Sequence, residues 1–201
     1  MSKDPNALGR LYDKIATWWN DRHLDSNYGV TQFNHALNFV SPEGNALDIG
    51  CGAGGRFINI LNKRNYQVTG IDVSSNMIAL AKQNHPEHSF HQQNICTWIP
   101  DKQYDFIYAW DSLFHLPLDQ HQPVLNRLCD CLSESGVMMF TLGDAEGEHE
   151  DQWHNESFYY SSIGINRTLE ILLAQGLKIK HVDIDQYPEK HVVIIAQKIT
   201  K

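Results

Sequence analysis

The segment Ala46-Leu-Asp-Ile-Gly-Cys-Gly-Ala-Gly-Gly55 concentrates the residues best suited to ligand chemistry. Glycines at 50, 52 and 54 permit positive φ and let a ligand approach the backbone closely. Two carboxylates frame them: Asp48 stands two residues before the first glycine, and Asp72 stands 20 residues after Gly52. At the second place a carboxylate can accept hydrogen bonds from both hydroxyls of a ribose. At the first it has no use for a pyrophosphate, but it suits a ligand with an amino group, because a buried charge needs a partner of opposite sign. The pattern asks for a ligand with an adenosine-like ribose and a cationic head. Gly50, Gly52 and Gly55 also satisfy GxGxxG, the dinucleotide fingerprint, so a nicotinamide cofactor stays open as a second reading.

The hydrophobic pattern indicates which elements must position these groups. Residues 4–40 are expected to be helical, with Leu8, Leu11, Tyr12, Ile15, Trp18 and Trp19 mostly at helical spacing. A second short helix over 31–40 should stop near Ser41-Pro42. Strands are then expected over 46–49, 67–71, 89–93, 105–110 and 137–142, with helical stripes between them at Phe57/Ile58/Leu61, Met77/Ile78/Ala81 and Val124/Leu125/Leu128. Such alternation builds a parallel sheet covered by helices on both faces. After a further helix around Leu169 and Leu172, strands over 177–185 and 191–198 are separated by residues 186–190 alone. That gap is too short for a parallel crossover, so the pair must be antiparallel and the sheet mixed.

The 201 residues suit one domain with a sizeable core, and 42% hydrophobic content is too high for a disordered chain. The net charge of −8 argues against a nucleic-acid backbone or an acidic membrane surface as partner, since both demand concentrated Lys and Arg. The charge is unevenly placed. Residues 128–166 hold eight acids and no Lys or Arg, which equals the whole excess, while the rest of the chain carries 16 acids against 16 bases. Within that stretch, residues 143–160 lack apolar periodicity over most of their length. They are expected to form a long loop, read either as a solvated acidic segment or as a substrate lid that admits neutral or cationic molecules. Cys51, Cys96, Cys129 and Cys131 have no disulfide-framework or zinc-ligand spacing, the eleven histidines form no tight ligand cluster, and no apolar run approaches a bilayer span. The expectation is a cytoplasmic protein without a metal.

The glycine segment, together with Thr69-Gly-Ile-Asp-Val-Ser74, resembles motifs I and II of the class I S-adenosylmethionine-dependent methyltransferases, and within them the small-molecule enzymes of the methyltransferase-domain 11/25 type. The resemblance covers roughly residues 40–145 and, more loosely, the terminal hairpin. It implies an α/β, Rossmann-like, doubly wound mixed seven-stranded sheet with an antiparallel final strand. It also implies a single compact domain, with residues 1–40 as a helical cover over a methyltransferase domain of 41–201. S-adenosylmethionine would be the cofactor and S-adenosylhomocysteine the product. By position, Asp48 and Gly50 would hold its methionine end, and Cys51, Gly52 and Gly54 would form the loop beneath it. Asp72 would take the ribose, and Val73, Met77, Asn94 and Ile95 would meet the adenine, with Asn94 standing where many relatives have Asp. Ala109 and Trp110, ending the fourth strand, would lie beside the sulfonium. Tyr12-Asp-Lys-Ile-Ala-Thr-Trp18-Trp19 resembles the helix that covers the cofactor, so Tyr12 and Trp18 join the expected contacts.

Methyl transfer from a sulfonium is an in-line displacement that needs orientation and, for some acceptors, a base. Where the superfamily's base and amide methylators carry an Asp/Asn-Pro-Pro-Tyr/Phe tetrad, this chain has Trp110-Asp-Ser-Leu, which argues against those acceptors. Asp111 and His115 follow the same strand and are the candidate general bases. A cofactor-binding protein without catalysis remains the third reading.

Overall fold

A computed structural model describes residues 3–186, 188 and 190–199. Asp4 accepts a hydrogen bond from the Asn6 N–H and Pro5 follows it, so helix α1 (Pro5–His23) starts with an orphan donor satisfied and a residue already set for helix. Helix α2 (Val30–Ala36) ends before the expected position 40. Strand β1 (Gly44–Ile49) leads through the glycine loop into α3 (Arg56–Asn62). Next come β2 (Tyr66–Asp72), α4 (Ser75–Asn84) capped by the Ser74 hydroxyl, and β3 (Ser89–Gln92). The chain then returns to the other side of β1 with β4 (Tyr104–Ala109), two short 3-10 turns, α5 (His121–Asp130) and β5 (Leu132–Gly143).

Residues 143–160 depart from expectation. They do not form a loop: β6 (Glu146–Trp153) and β7 (Glu156–Ile163) make a separate antiparallel hairpin, paired from Glu146↔Ile163 to Trp153↔Glu156. His154 and Asn155 occupy its two-residue turn with φ of 51° and 60°, the left-handed pair that matches strand twist. β6 gives no apolar signal because nearly all of it is exposed. Its order comes from the backbone ladder to β7, which buries Phe158 and Ser161. The chain closes with α6 (Gly164–Ala174), β8 (Leu177–Ile184) and β9 (His191–Lys198).

The main sheet has seven strands in the order β3-β2-β1-β4-β5-β9-β8. Every neighbouring pair from β3 to β5 is parallel, and β9 runs antiparallel to both its neighbours. Alternation along each strand divides the core. Leu47, Ile49 and Ile107 pack with Leu128, Ile171 and Leu172 on the α5/α6 face, while Ala46, Phe106 and Tyr108 pack with Phe33, Ile58 and Leu61 on the other. Winding direction reverses between β1 and β4. In an open α/β sheet that switch point leaves a crevice beyond the carboxyl ends of the strands. Among the described residues no helix is long and apolar enough to cross a membrane.

Helix α1 lies across that crevice, anchored by Asp13. Its Oδ1 accepts from the Ser74 hydroxyl (2.6 Å) and the Asn76 N–H (2.8 Å). Contact is so close at Gly9 that a Cβ there would lie 2.6 Å from the carbonyl oxygen of Val73. Helix propensity alone favours Ala over Gly by about 1 kcal/mol, but the opposing atom is backbone and cannot step aside. Gly9→Ala is expected to lower Tm and speed proteolytic cleavage around α1. A higher Tm would show that α1 does not dock this closely.

Candidate cofactor and acceptor site

Strand pairing decides how the glycine loop is held. Gly50 and Cys51 both donate their N–H to Ile71 O, at 2.8 and 3.1 Å, so the loop hangs from the end of β2. Gly50 has φ +69°, and a Cβ on it would lie 2.3 Å from the Ser112 Cβ, so no other residue fits. Asp72, ending β2, accepts from the Gly52 N–H (2.9 Å) and the Ser74 N–H (2.8 Å), thereby linking the loop to the start of α4. Burial raises the Asp72 pKa, and the hydrogen bonds from Ser74 and Gly52 oppose that rise.

Asp48 and Tyr108 are register partners on β1 and β4, and the Tyr108 hydroxyl donates to Asp48 Oδ2 at 2.8 Å. Burial pushes the Asp48 pKa up to about 7, while the Tyr108 hydrogen bond pulls the other way. A phenol is a neutral donor, so Asp48 is a buried carboxyl without a cation touching it.

Two cavities flank the loop. The first is walled by Leu8, Tyr12 and Trp19 of α1, by Asp72, Val73 and Met77, and by Gln93 and Ile95. The second holds Asp48, Cys51, Gly54, His23, Tyr28 and Arg56. Gly50, Gly52, Trp19, Trp110 and Asp111 line both. A third, more open cleft runs between the base of the β6–β7 hairpin and the β8–β9 turn, lined by Tyr28, Phe114, Asp144, Glu146, Tyr160 and His191, and again by Asp111. Among the described residues Asp111 alone belongs to all three.

The expected contacts divide accordingly. Tyr12, Asp48, Gly50, Cys51, Gly52, Gly54, Asp72, Val73, Met77, Ile95, Trp110, Asp111 and His115 line one cavity or the other. Trp18 lines neither. Leu8, Tyr12 and Trp19 share one face of α1, and Trp18 is a quarter-turn away, its ring against His154 (4.4 Å) and Trp153 (5.5 Å) of the hairpin. Trp19 takes the place assigned to it. Asn94 is also absent from the walls. Its Oδ1 accepts from the Cys96 N–H at 3.0 Å to close a local turn, and Gln93 lines the cavity instead. Ala109 is buried within β4 and forms no wall.

His115 is buried with both ring nitrogens engaged. Nδ1 lies 2.8 Å from Tyr159 O, which can only accept, so Nδ1 carries the proton. Nε2 then accepts from the Tyr12 hydroxyl at 2.9 Å. Burial lowers the His115 pKa to about 4, against the hydrogen bond to Tyr159 and the charge of Asp111. A neutral imidazole so engaged is better suited to fixing Tyr12, and through it α1, than to accepting a proton.

Sequence reasoning passed over Tyr28, Arg56, His23 and His191. Arg56, the first residue of α3, is the one of these with a readable signal, as a cation directly after the glycine loop. Its guanidinium sits 4.4 Å from the centre of the Phe57 ring, and burial lowers its pKa while Asp111, Tyr28 and Asp48 raise it. The other three are brought to the site only by packing. Among the described residues no group of three or more His, Cys, Asp or Glu is arranged to hold a metal ion.

These groups match the methionine end of S-adenosylmethionine. The second cavity pairs Asp48, which lacks a cation, with Arg56 and with two buried unpartnered nitrogens, His23 Nδ1 and Trp110 Nε1. An ammonium and a carboxylate would complete both sets. In the first cavity the Asp72 carboxylate and the apolar Val73, Met77 and Ile95 suit a ribose and an adenine. A pyrophosphate over the loop would meet the Asp48 carboxylate instead of a donor, which counts against the nicotinamide reading.

Comparison with known proteins agrees. A family model described as "Methyltransferase domain" matches residues 22–191. Phosphoethanolamine N-methyltransferase from Plasmodium falciparum is 24% identical over 196 residues, covering 84% of this chain and 73% of the relative. Trans-aconitate 2-methyltransferase from Rhizobium rhizogenes is 31% identical over 100 residues, covering 49% of this chain and only 38% of the relative. The DhpI protein in complex with S-adenosylhomocysteine superposes over 100% of both chains with a TM-score of 0.74 at 21% identity. The chain belongs to the methyltransferase-domain family, within the class I S-adenosylmethionine-dependent methyltransferases, and S-adenosylmethionine is the cofactor.

With Asp48 facing the cofactor's ammonium, cofactor binding is expected to depend on pH. In the free protein its carboxyl holds a proton below about pH 7, whereas an ammonium in the cavity requires the carboxylate. Binding must then expel a proton, so S-adenosylhomocysteine affinity should rise about tenfold per unit up to about pH 7 and level off above it. Asp48→Asn should weaken binding and flatten this profile. Calorimetric titration from about pH 5.5 to about pH 8.5 reads it, and a flat wild-type profile would remove Asp48 from the cofactor site.

Proposed function

We propose that the chain methylates a small neutral or cationic molecule that enters through the third cleft, and that Asp111 takes the proton the acceptor atom releases. Residues 1–40 serve as the cover over a single domain of 41–201. The position of Asp111, lining the two cofactor cavities and the open cleft together, supports this reading. S-adenosylmethionine supplies an activated methyl carbon. The chain's own contribution is orientation and proton removal: as the methyl–sulfur bond breaks and the bond to the acceptor forms, the acceptor's proton passes to the Asp111 carboxylate and then to solvent through the open cleft. Asp111 is held for this in a left-handed backbone (φ 52°), its N–H donating to the Thr141 hydroxyl at 2.9 Å. Such strain in a non-glycine residue persists only where surrounding contacts impose it.

Charge and aromatic surface set the acceptor class. Asp144, Glu146 and Asp111 line the cleft with Tyr28, Phe114 and Tyr160, and Lys190 stands opposite them. Acids beside ring faces attract cations and repel anions. An amine fits such walls, and the phosphoethanolamine relative is named as an N-methyltransferase. Four free cysteines suit a reducing compartment, so the proposed location is the cytoplasm.

Two outcomes test the proposal. With an acceptor found by screening amines and hydroxyl compounds for labelled methyl transfer, Asp111→Asn should lower kcat by about 100-fold or more and leave S-adenosylhomocysteine affinity almost unchanged. Full activity in that variant would exclude Asp111 as the proton acceptor. Replacing Asp144 and Glu146 with Asn and Gln should raise KM for a cationic acceptor by about tenfold, since each exposed acid contributes up to about 1 kcal/mol, and leave KM for a neutral one unchanged.

A further inference from the structure

Asp111 is gripped by a side chain from the far end of the sequence. His191, the first residue of β9, lies with Nε2 2.8 Å from Asp111 Oδ1 and Nδ1 2.5 Å from Asp185 Oδ1. Asp185 is the residue following β8, and its N–H donates to His191 O at 3.2 Å, so the hairpin brings these two side chains together. Carboxylate oxygens only accept, so with a carboxylate against each nitrogen the ring must donate from both and is an imidazolium. Gln186 Nε2 donates to the Tyr28 hydroxyl at 2.9 Å and lies 3.0 Å from Nδ1; both nitrogens are donors once Nδ1 is protonated, so this contact adds no hydrogen bond to the ring. Asp185 has its second oxygen occupied, accepting from Gln32 Nε2 of α2 at 2.7 Å. The Trp110 ring packs on the imidazole at 5.3 Å. The charged and titratable groups around the ring are therefore Asp111, Asp185 and Tyr28, with Arg56 interacting with Asp111 and Tyr28 and Lys190 as the ring's chain neighbour. Burial pulls the His191 pKa down, but the hydrogen bonds the ring donates to Asp111 and Asp185 outweigh it and the net shift is upward.

We propose that His191 is the positioning residue of the methyl-transfer site: clamped by Asp185, it holds the Asp111 carboxylate across the junction where the cofactor cavities open into the acceptor cleft. The inference rests on the role given to Asp111 above. Neither Asp185 nor His191 touches the reacting atoms. Their contribution is to aim a carboxylate whose backbone is already strained, and to tie that aim to the β8–β9 turn, which forms the opposite wall of the cleft. Histidine suits the task because its two N–H groups diverge from a rigid ring and reach one carboxylate on each side. Lysine keeps the charge on a flexible stem, and glutamine loses it.

Ring nitrogen NMR on the full chain, with the His191 signals assigned by their loss in His191→Gln, tests the clamp without acceptor or cofactor. The midpoint of the ring titration should lie above the ordinary histidine value. Asp111→Asn and Asp185→Asn should each lower it. A midpoint at or below the ordinary value in the wild-type protein would overturn the proposal. In turnover, His191→Gln should lower kcat about 100-fold, the loss expected when a reacting group is displaced by about 1 Å, with S-adenosylhomocysteine affinity and Tm close to wild type. His191→Lys should recover part of that loss. Unchanged kcat in His191→Gln would overturn the positioning role, as would equal losses in the Gln and Lys variants. If the wild-type chain binds S-adenosylhomocysteine but methylates no acceptor, the proposed function fails, and the positioning role fails with it whatever the NMR signals show.

Discussion

Asp48 is buried at the centre of the sheet with the Tyr108 phenol donating to it, and no cation of the described chain within contact distance. Removing a carboxylate from water without a counter-charge is costly, and the carboxyl responds by holding its proton more tightly. Much of the site follows from this one residue. Alternation along β1 sends Asp48 to the face that carries Phe57 and Tyr108, while Leu47 and Ile49 point to the other. The same strand ends in the loop suspended from Ile71 O, so the unmet charge and the exposed loop backbone open into the same space. Arg56 and the unpartnered nitrogens of His23 and Trp110 line that space too. The fold keeps a polar cavity of mixed sign at its switch point.

The covering elements are secured by polar contacts more than by apolar area. Asp13 joins α1 to the start of α4, and the Tyr12–His115–Tyr159 chain joins α1 to the hairpin. Outside these, Lys3 pairs with Glu148 and Lys14 with Glu156. Exposed ion pairs contribute at most about 1 kcal/mol each, so the buried Tyr12–His115 contact and the close packing at Gly9 must carry more of the docking.

The acidic excess changes meaning once it is placed in space. Its largest share lies on β6, an exposed strand whose carboxylates partly engage local donors: Glu148 accepts from the Tyr159 hydroxyl, and Glu150 from the Ser157 hydroxyl. Only the acids at the base of the hairpin, Asp144, Glu146 and Glu148, border the cleft beside Asp111. The field at the cleft mouth therefore comes from a few carboxylates, and the remainder decorate a solvated ribbon.

Strand–helix alternation, the glycine segment, Asp48 and Asp72 were legible in the chain, and so was the antiparallel end, because period-2 and period-3.6 patterns and a five-residue gap are local properties. Asp111 and His115 were legible as candidates, but their division of labour was not. It depends on Tyr159 O and Tyr12 occupying the imidazole, and on His191 arriving from 80 positions away. The β6–β7 hairpin escaped notice because its order lies in a backbone ladder and a His-Asn turn, with almost no buried face on β6 to mark it. Trp18 and Trp19 are adjacent and chemically identical, and only the docking angle of α1 decides which one faces the cavity. The sequence by itself determined the architecture and the loop side of the cofactor site, since one strand–loop–helix unit and the end of the next strand carry Asp48, the glycines and Asp72. The open cleft beside Asp111 was decided by tertiary structure alone: its walls come from the loop before α2, the segment after β4 and both hairpins, brought together only when the sheet is packed.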